Sequence, residues 1–147
     1  MPIISFSVFK DKILDGTKTQ TIRRQRKHPK NCKHPETCKH EIKEGSQLYL
    51  WWKSRTPQRE KLFETPCTQT LKIKLYIDEN SIDACWITKQ GDSIGYNYNS
   101  LISLARRDGF YTPEEMRKWF FEMYGCIAGE VFDVIRWNPP ALNKEAF

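Results

Sequence analysis

The sequence predicts an α+β domain, a small antiparallel β-barrel with flanking helices. Three observations carry this expectation. Segments with the two-residue alternation of strands dominate both ends of the chain. Two segments with helical periodicity lie between them, and no strand–helix–strand rhythm of the kind that builds a parallel sheet recurs. One domain over residues 1–138, followed by a tail at 139–147, accommodates the 147 residues.

Residues Ile3 to Phe9 read as a first strand, with Ile4, Phe6 and Val8 on one face. Asp11 to Asp15 form a short helix that Gly16 stops. Residues 24–45 are polar and basic and read as loop, ending in the turn Glu44-Gly45-Ser46. Leu48 to Trp52 is a strand apolar enough to be central, and Ser54 to Leu62 a charged loop. Cys67 to Ile77 alternates as a long half-buried strand, and Ile82 to Thr88 reads as another. Gly95 to Asn99 is turn-rich.

Asn99 or Ser100 caps a helix through Arg107, which Asp108-Gly109 ends. Thr112-Pro113-Glu114-Glu115 is a capping box with proline at the first helical position. Met116, Trp119, Phe120 and Met123 then make one apolar stripe, most simply a core face, up to a stop at Gly125. Glu130 to Trp137 is the closing strand.

The formal net charge is +6, and it is local: residues 18–43 hold nine Lys/Arg against two acids, so the rest of the chain is slightly acidic. Such a patch favours a polyanion, most often nucleic acid, against the plainer reading of a solvated charged loop. No apolar run approaches the ~20 residues of a membrane span, and the start has no basic n-region. A cytoplasmic protein, monomeric and without a membrane partner, is expected. Five cysteines, an odd number, fit reduced thiols better than a disulfide framework. Cys67, Cys85 and Cys126 sit in strand-like or apolar contexts and read as buried thiols.

Chemistry concentrates in Gly16-Thr17-Lys18-Thr19-Gln20-Thr21-Ile22-Arg23. A turn glycine lets the backbone bend, and Lys18, Thr21 and Arg23 can converge on one small polar or anionic group. If the stretch after the turn is extended, Thr19, Thr21 and Arg23 share a face. Lys18, Arg23, Arg24, Arg26 and Lys27 would contact phosphates, and Trp52 is a candidate stacking face, with core packing as its alternative. Residues 27–41 carry Lys-His-Pro-x-x-Cys twice, with a period of six. Cys32, His34, Cys38 and His40 offer two sulfurs and two nitrogens, a set that suits tetrahedral zinc. The alternative is a small duplication in a tolerant surface loop.

Gly16-x-Lys18-x-x-Thr21-x-Arg23 resembles the Gly-x-Lys-x-x-Thr-x-Arg signature of ASCH domains, which have a PUA-like barrel fold. The likeness extends to the Glu44-Gly45-Ser46 turn, to Leu104–Phe110, to the capped helix from Thr112 and to the final strand. It makes residues 27–41 an insertion. The resemblance implies an RNA-binding or RNA-associated module with a modified nucleoside or RNA as partner. It also implies an alternative, because one bacterial branch is an amidohydrolase that deacylates N4-acetylcytidine. That branch acts through the signature lysine and threonine with a glutamate. Lys18 and Thr21 match the first two, and Asp108 stands in the glutamate's place before the capped helix.

Overall fold

The computed structural model describes residues 3–24 and 42–139. Its elements are β1 (Ile3–Phe6), α1 (Lys10–Asp15), β2 (Gln20–Arg24), β3 (Gln47–Trp52), β4 (Glu60–Ile77), β5 (Ile82–Ile87), β6 (Ser93–Gly95), α2 (Tyr98–Arg107), α3 (Pro113–Tyr124) and β7 (Ile127–Trp137). The class is α+β, as expected. The described residues divide into two compact units, one from 3–19, 42–70 and 135–139, the other from 20–24 and 71–134.

In the first unit β1 runs parallel to β3, in register from Ile3 opposite Tyr49 to Phe6 opposite Trp52. β3 runs antiparallel to the first part of β4. The alternation of β1 sends Ile4 and Phe6 into a core with Ile13, Leu48, Leu50 and Trp137. The first strand is shorter than its apolar pattern. Phe9 takes a left-handed conformation (φ 66°) and opens α1, so the chain leaves the strand direction after Phe6 and Val8 is exposed. Gly45, at φ +87°, delivers the turn into β3.

In the second unit the later part of β4 pairs antiparallel with β5, and β5 with the short edge strand β6, which the turn-rich reading missed. Asn97, rather than Asn99 or Ser100, caps α2: its side chain accepts from the Ser100 N–H at 2.8 Å. α3 starts and stops as predicted, with Thr112 accepting from the Glu115 N–H and Gly125 at the C-terminal cap. Its stripe is corrected at one end. Met116 and Phe120 are buried, but Met123 is exposed, and Tyr124 instead reaches the Phe120 and Phe132 rings.

β4 is where the expected barrel fails to close. At 18 residues it is far longer than the Cys67–Ile77 strand and absorbs much of the expected charged loop. Glu60 to Pro66 pair with β3, whereas Lys72 to Ile77 pair with β5. A barrel needs its last strand to pair with its first. Here the pairing runs β1-β3-β4-β5-β6, with β7 joined to β4 and β2 to β7, and the sheet is mixed and open.

The thiols divide by exposure. Cys67 is buried, Cys85 half-buried and Cys126 exposed, so the buried-thiol expectation fails for Cys126. Cys126 follows the Gly125 stop and precedes the first buried residue of β7, Ile127. Burial pushes the Cys67 thiol above its ordinary value. The folded state therefore favours the neutral thiol, and that contribution is complete below the ordinary thiol range and lost as pH rises through the raised value. Under native conditions at pH 8, iodoacetamide should modify Cys126 well before Cys67, as read by peptide mass spectrometry. Equal rates would contradict the placement.

Candidate functional site

The motif begins as a helix stop. Gly16 sits at φ +86°, and a Cβ there would come within 3.0 Å of the Pro139 side chain. Glycine is thus required twice, for the left-handed backbone and for space. Asp15 Oδ1 accepts the Thr17 N–H at 2.7 Å, and the Lys18 N–H returns to the Lys12 carbonyl at 3.0 Å. The Thr19 carbonyl accepts the Trp137 N–H at 3.0 Å. These bonds turn the chain back beneath α1 and fix Lys18 before β2 starts.

Lys18 belongs to the first unit and is 3% exposed. Its ammonium lies 5.7 Å from the Phe6 ring centroid and 5.5 Å from that of Phe9, within cation–π range. Phe9 and Lys53 are the non-glycine residues with positive φ among the described ones. A bulky residue in that conformation is strained by about 1–3 kcal/mol, and here the strain holds an aromatic face toward the buried lysine. Trp52, at the end of β3, is half-buried, with the Lys10 and Lys53 ammonium groups 6.0 and 5.4 Å from its ring. Lys10 also pairs with Glu60.

The second unit holds β2 and Asp108. Gln20, Thr21 and Ile22 are all buried, so β2 is covered on both faces. Thr21 and Arg23 share a face as alternation predicts, and Arg23 Nε donates to Thr21 Oγ1 at 3.2 Å. The hydroxyl accepts from a cation and keeps its own proton to give. Arg24 is engaged elsewhere. It forms an ion pair with Glu130 at 3.3 Å and stacks on the Tyr124 ring at 4.3 Å. Arg26, Lys27, Cys32, His34, Cys38 and His40 lie outside the described residues.

Asp108 caps the C-terminus of α2 and is 5% exposed. The helix ends in a Schellman arrangement: the Gly109 N–H reaches the Arg106 carbonyl at 3.0 Å and the Phe110 N–H the Ala105 carbonyl at 2.9 Å. Gly109 supplies the positive φ, and Phe110 is the buried residue that locks the turn.

Gln20 is the residue that motif reading passed over. It is fully buried, and its Nε2 donates at 3.1 Å to the Leu104 carbonyl, which also accepts the Asp108 N–H at 3.3 Å. One carbonyl therefore ties the motif strand to the helix end that carries Asp108. The signal available in the sequence was an amide side chain inside an otherwise strand-like polar run.

The buried polar and charged residues among the described ones are Lys18, Gln20, Thr21, Thr65 and Asp108. Four of these five belong to the motif or are its expected carboxylate partner. Lysine and aspartate are the residue types least often found fully buried.

Among the described residues no group of three or more His, Cys, Asp or Glu is placed to hold a metal, and no helix is long and apolar enough to cross a membrane. Comparison with protein-family models, with curated proteins and with solved structures finds no match.

Gln20→Leu should cost about 1 kcal/mol, the net worth of a typical hydrogen bond. It should also speed exchange of the Asp108 amide as the end of α2 loosens. Denaturant melts and native-state hydrogen exchange check both, and an unchanged Asp108 amide would deny Gln20 its tethering role.

Proposed function

We propose that this protein is an ASCH-type domain of the PUA-like kind that binds RNA, or a nucleoside-containing ligand, through the segment Gly16–Arg23. One observation carries the proposal. The buried polar residues concentrate in that segment and at Asp108, where the chain holds groups that an ordinary core excludes. The basic stretch that follows supplies the electrostatic attraction for phosphates. Arg23, half-buried beside Thr21, is the motif cation positioned to read an anion or a base carbonyl. Arg24 is engaged by Glu130 and Tyr124 and serves the fold first.

Binding of a fluorescent single-stranded oligoribonucleotide, followed by anisotropy, tests this. With about four phosphate contacts, affinity should fall roughly 50-fold between 50 and 200 mM salt. Lys18→Ala and Arg23→Ala should each weaken binding while a cooperative melt is retained. Unchanged affinity in both would refute the motif's role.

A second reading, hydrolysis of N4-acetylcytidine or a related acylated base, is favoured by the Arg23–Thr21 contact. A hydroxyl becomes a nucleophile when a base takes its proton and a nearby cation steadies the charge. In this reading Lys18 removes the Thr21 proton and Thr21 Oγ1 attacks the acyl carbon. Asp108 serves the leaving amine, and water then frees acetate from the threonine ester. Incubation with N4-acetylcytidine should release cytidine, and Thr21→Val should cut the rate by about 10³-fold or more. Release that survives in Thr21→Val would rule this chemistry out.

A further inference from the structure

We propose that Tyr111, at the turn between α2 and α3, is a stacking platform for one base of a single-stranded polynucleotide, and that Arg107 holds an adjoining phosphate. The inference rests on the nucleic-acid reading above and extends it to residues outside the motif.

Tyr111 is 69% exposed, more than any other large hydrophobic residue among the described ones. An exposed tyrosine is ordinary on a loose loop. Tyr111 is not on one. Its N–H donates to Glu115 Oε2 at 3.1 Å, and its carbonyl accepts from Arg106 Nε at 3.5 Å. The residue before it, Phe110, is buried, with its ring 6.2 Å from that of Trp119. The residue after it, Thr112, is the cap of α3, with its hydroxyl accepting the Glu115 N–H at 3.2 Å. Both backbone groups of Tyr111 and both of its neighbours are thus fixed while the ring faces solvent. An aromatic face ordered before a ligand arrives loses little entropy on binding.

Charge indicates what the face would meet. Arg106 and Arg107 occupy the last turn of α2, and both are exposed. The nearest acid of α3, Glu115, is used by the Tyr111 N–H, and Glu114 sits in the first helical turn, where the helix dipole favours it. Arg107 forms no ion pair among the described residues. An aromatic plane beside a cation without an acidic partner matches the alternation of base and phosphate in a single strand. A single strand also has unpaired bases available to stack, which a duplex lacks. The platform lies three residues beyond Asp108, so it would take a base flanking the one that the motif addresses.

The experiment measures anisotropy of a single-stranded octaribonucleotide at about 50 mM salt. Tyr111→Ala should weaken binding about five- to 150-fold, the range spanned by base stacking. Tyr111→Trp should bind at least as tightly as the parent, and Arg107→Gln should make the salt slope shallower by about 0.7. Because the Tyr111 ring and Arg107 are exposed, the melts should stay unchanged. Parent-like affinity in Tyr111→Ala, or Tyr111→Trp no better than Tyr111→Ala, would overturn the platform and leave the motif's role standing. An octamer that the parent itself does not bind would overturn both readings and leave Tyr111 as a face for a protein partner.

Discussion

The structure depends on keeping polar groups out of water at the motif. Burying an unpaired ammonium or carboxylate costs several kcal/mol, and an amide or hydroxyl costs less but still opposes folding. The chain accepts this cost at Lys18, Gln20, Thr21 and Asp108. For Asp108 the penalty is compounded, because the C-terminal end of a helix disfavours negative charge. Apolar residues of similar size would serve a core at lower cost. The local architecture offsets the expense in each unit separately. Around Lys18 the offset is aromatic, from Phe6 and from a Phe9 held in a strained backbone conformation. Around β2 it is hydrogen bonding, from Arg23 to Thr21 and from Gln20 to the Leu104 carbonyl.

The Leu104 carbonyl shows how the fold sets distant residues in place. A carbonyl oxygen has two lone pairs, and one helical partner uses only one of them. At the last turn of α2 the second is taken by Gln20, 84 positions away in the chain. The Schellman closure at Gly109 then fixes the Asp108 backbone from the other side. β2 and the helix end thus hold each other by a bond that neither segment could make alone. This places the tethering residue at a variable position of the motif and not at a signature one.

Local signals in the sequence were sufficient wherever the deciding physics is local. The Gly16 stop, the Gly45 turn, the Thr112 cap with Pro113 and the Gly125 end all depend on neighbours within a few residues, and all stand where they were read. The candidate residues Lys18, Thr21 and Asp108 were legible by type and spacing, and their burial was not. What failed needed long-range information. The length of β4 depends on its taking different partners along its two parts, which alternation over Cys67–Ile77 does not reveal. The same division is why antiparallel strands did not imply a closed barrel. The parallel pairing of β1 with β3 leaves no mark on either strand's own pattern. Val8 has the right period for a strand but lies beyond the point where Phe9 redirects the backbone.

Exposure also sorts the cations, which formal charge alone treats as equivalent. Arg24 is neutralised by Glu130 and laid on Tyr124, Lys72 is paired with Asp133, and Lys61 with Glu64. Exposed pairs of this kind contribute little to stability, typically under about 1 kcal/mol, but they remove those cations from any competition for a polyanion. The cations still available for an anionic ligand are set by side-chain partnership, and net charge says little about them. Arg23 stays committed to the Thr21 hydroxyl on a strand covered on both faces, so its charge acts where the dielectric is lowest and each interaction counts most. A guanidinium in that position discriminates among small groups brought to it. A guanidinium in open solvent, such as that of Arg107, attracts a charged chain from a distance and is the more sensitive to salt. The described residues hold both kinds in one unit, which is the division of labour that recognition of a base within a longer anionic strand requires.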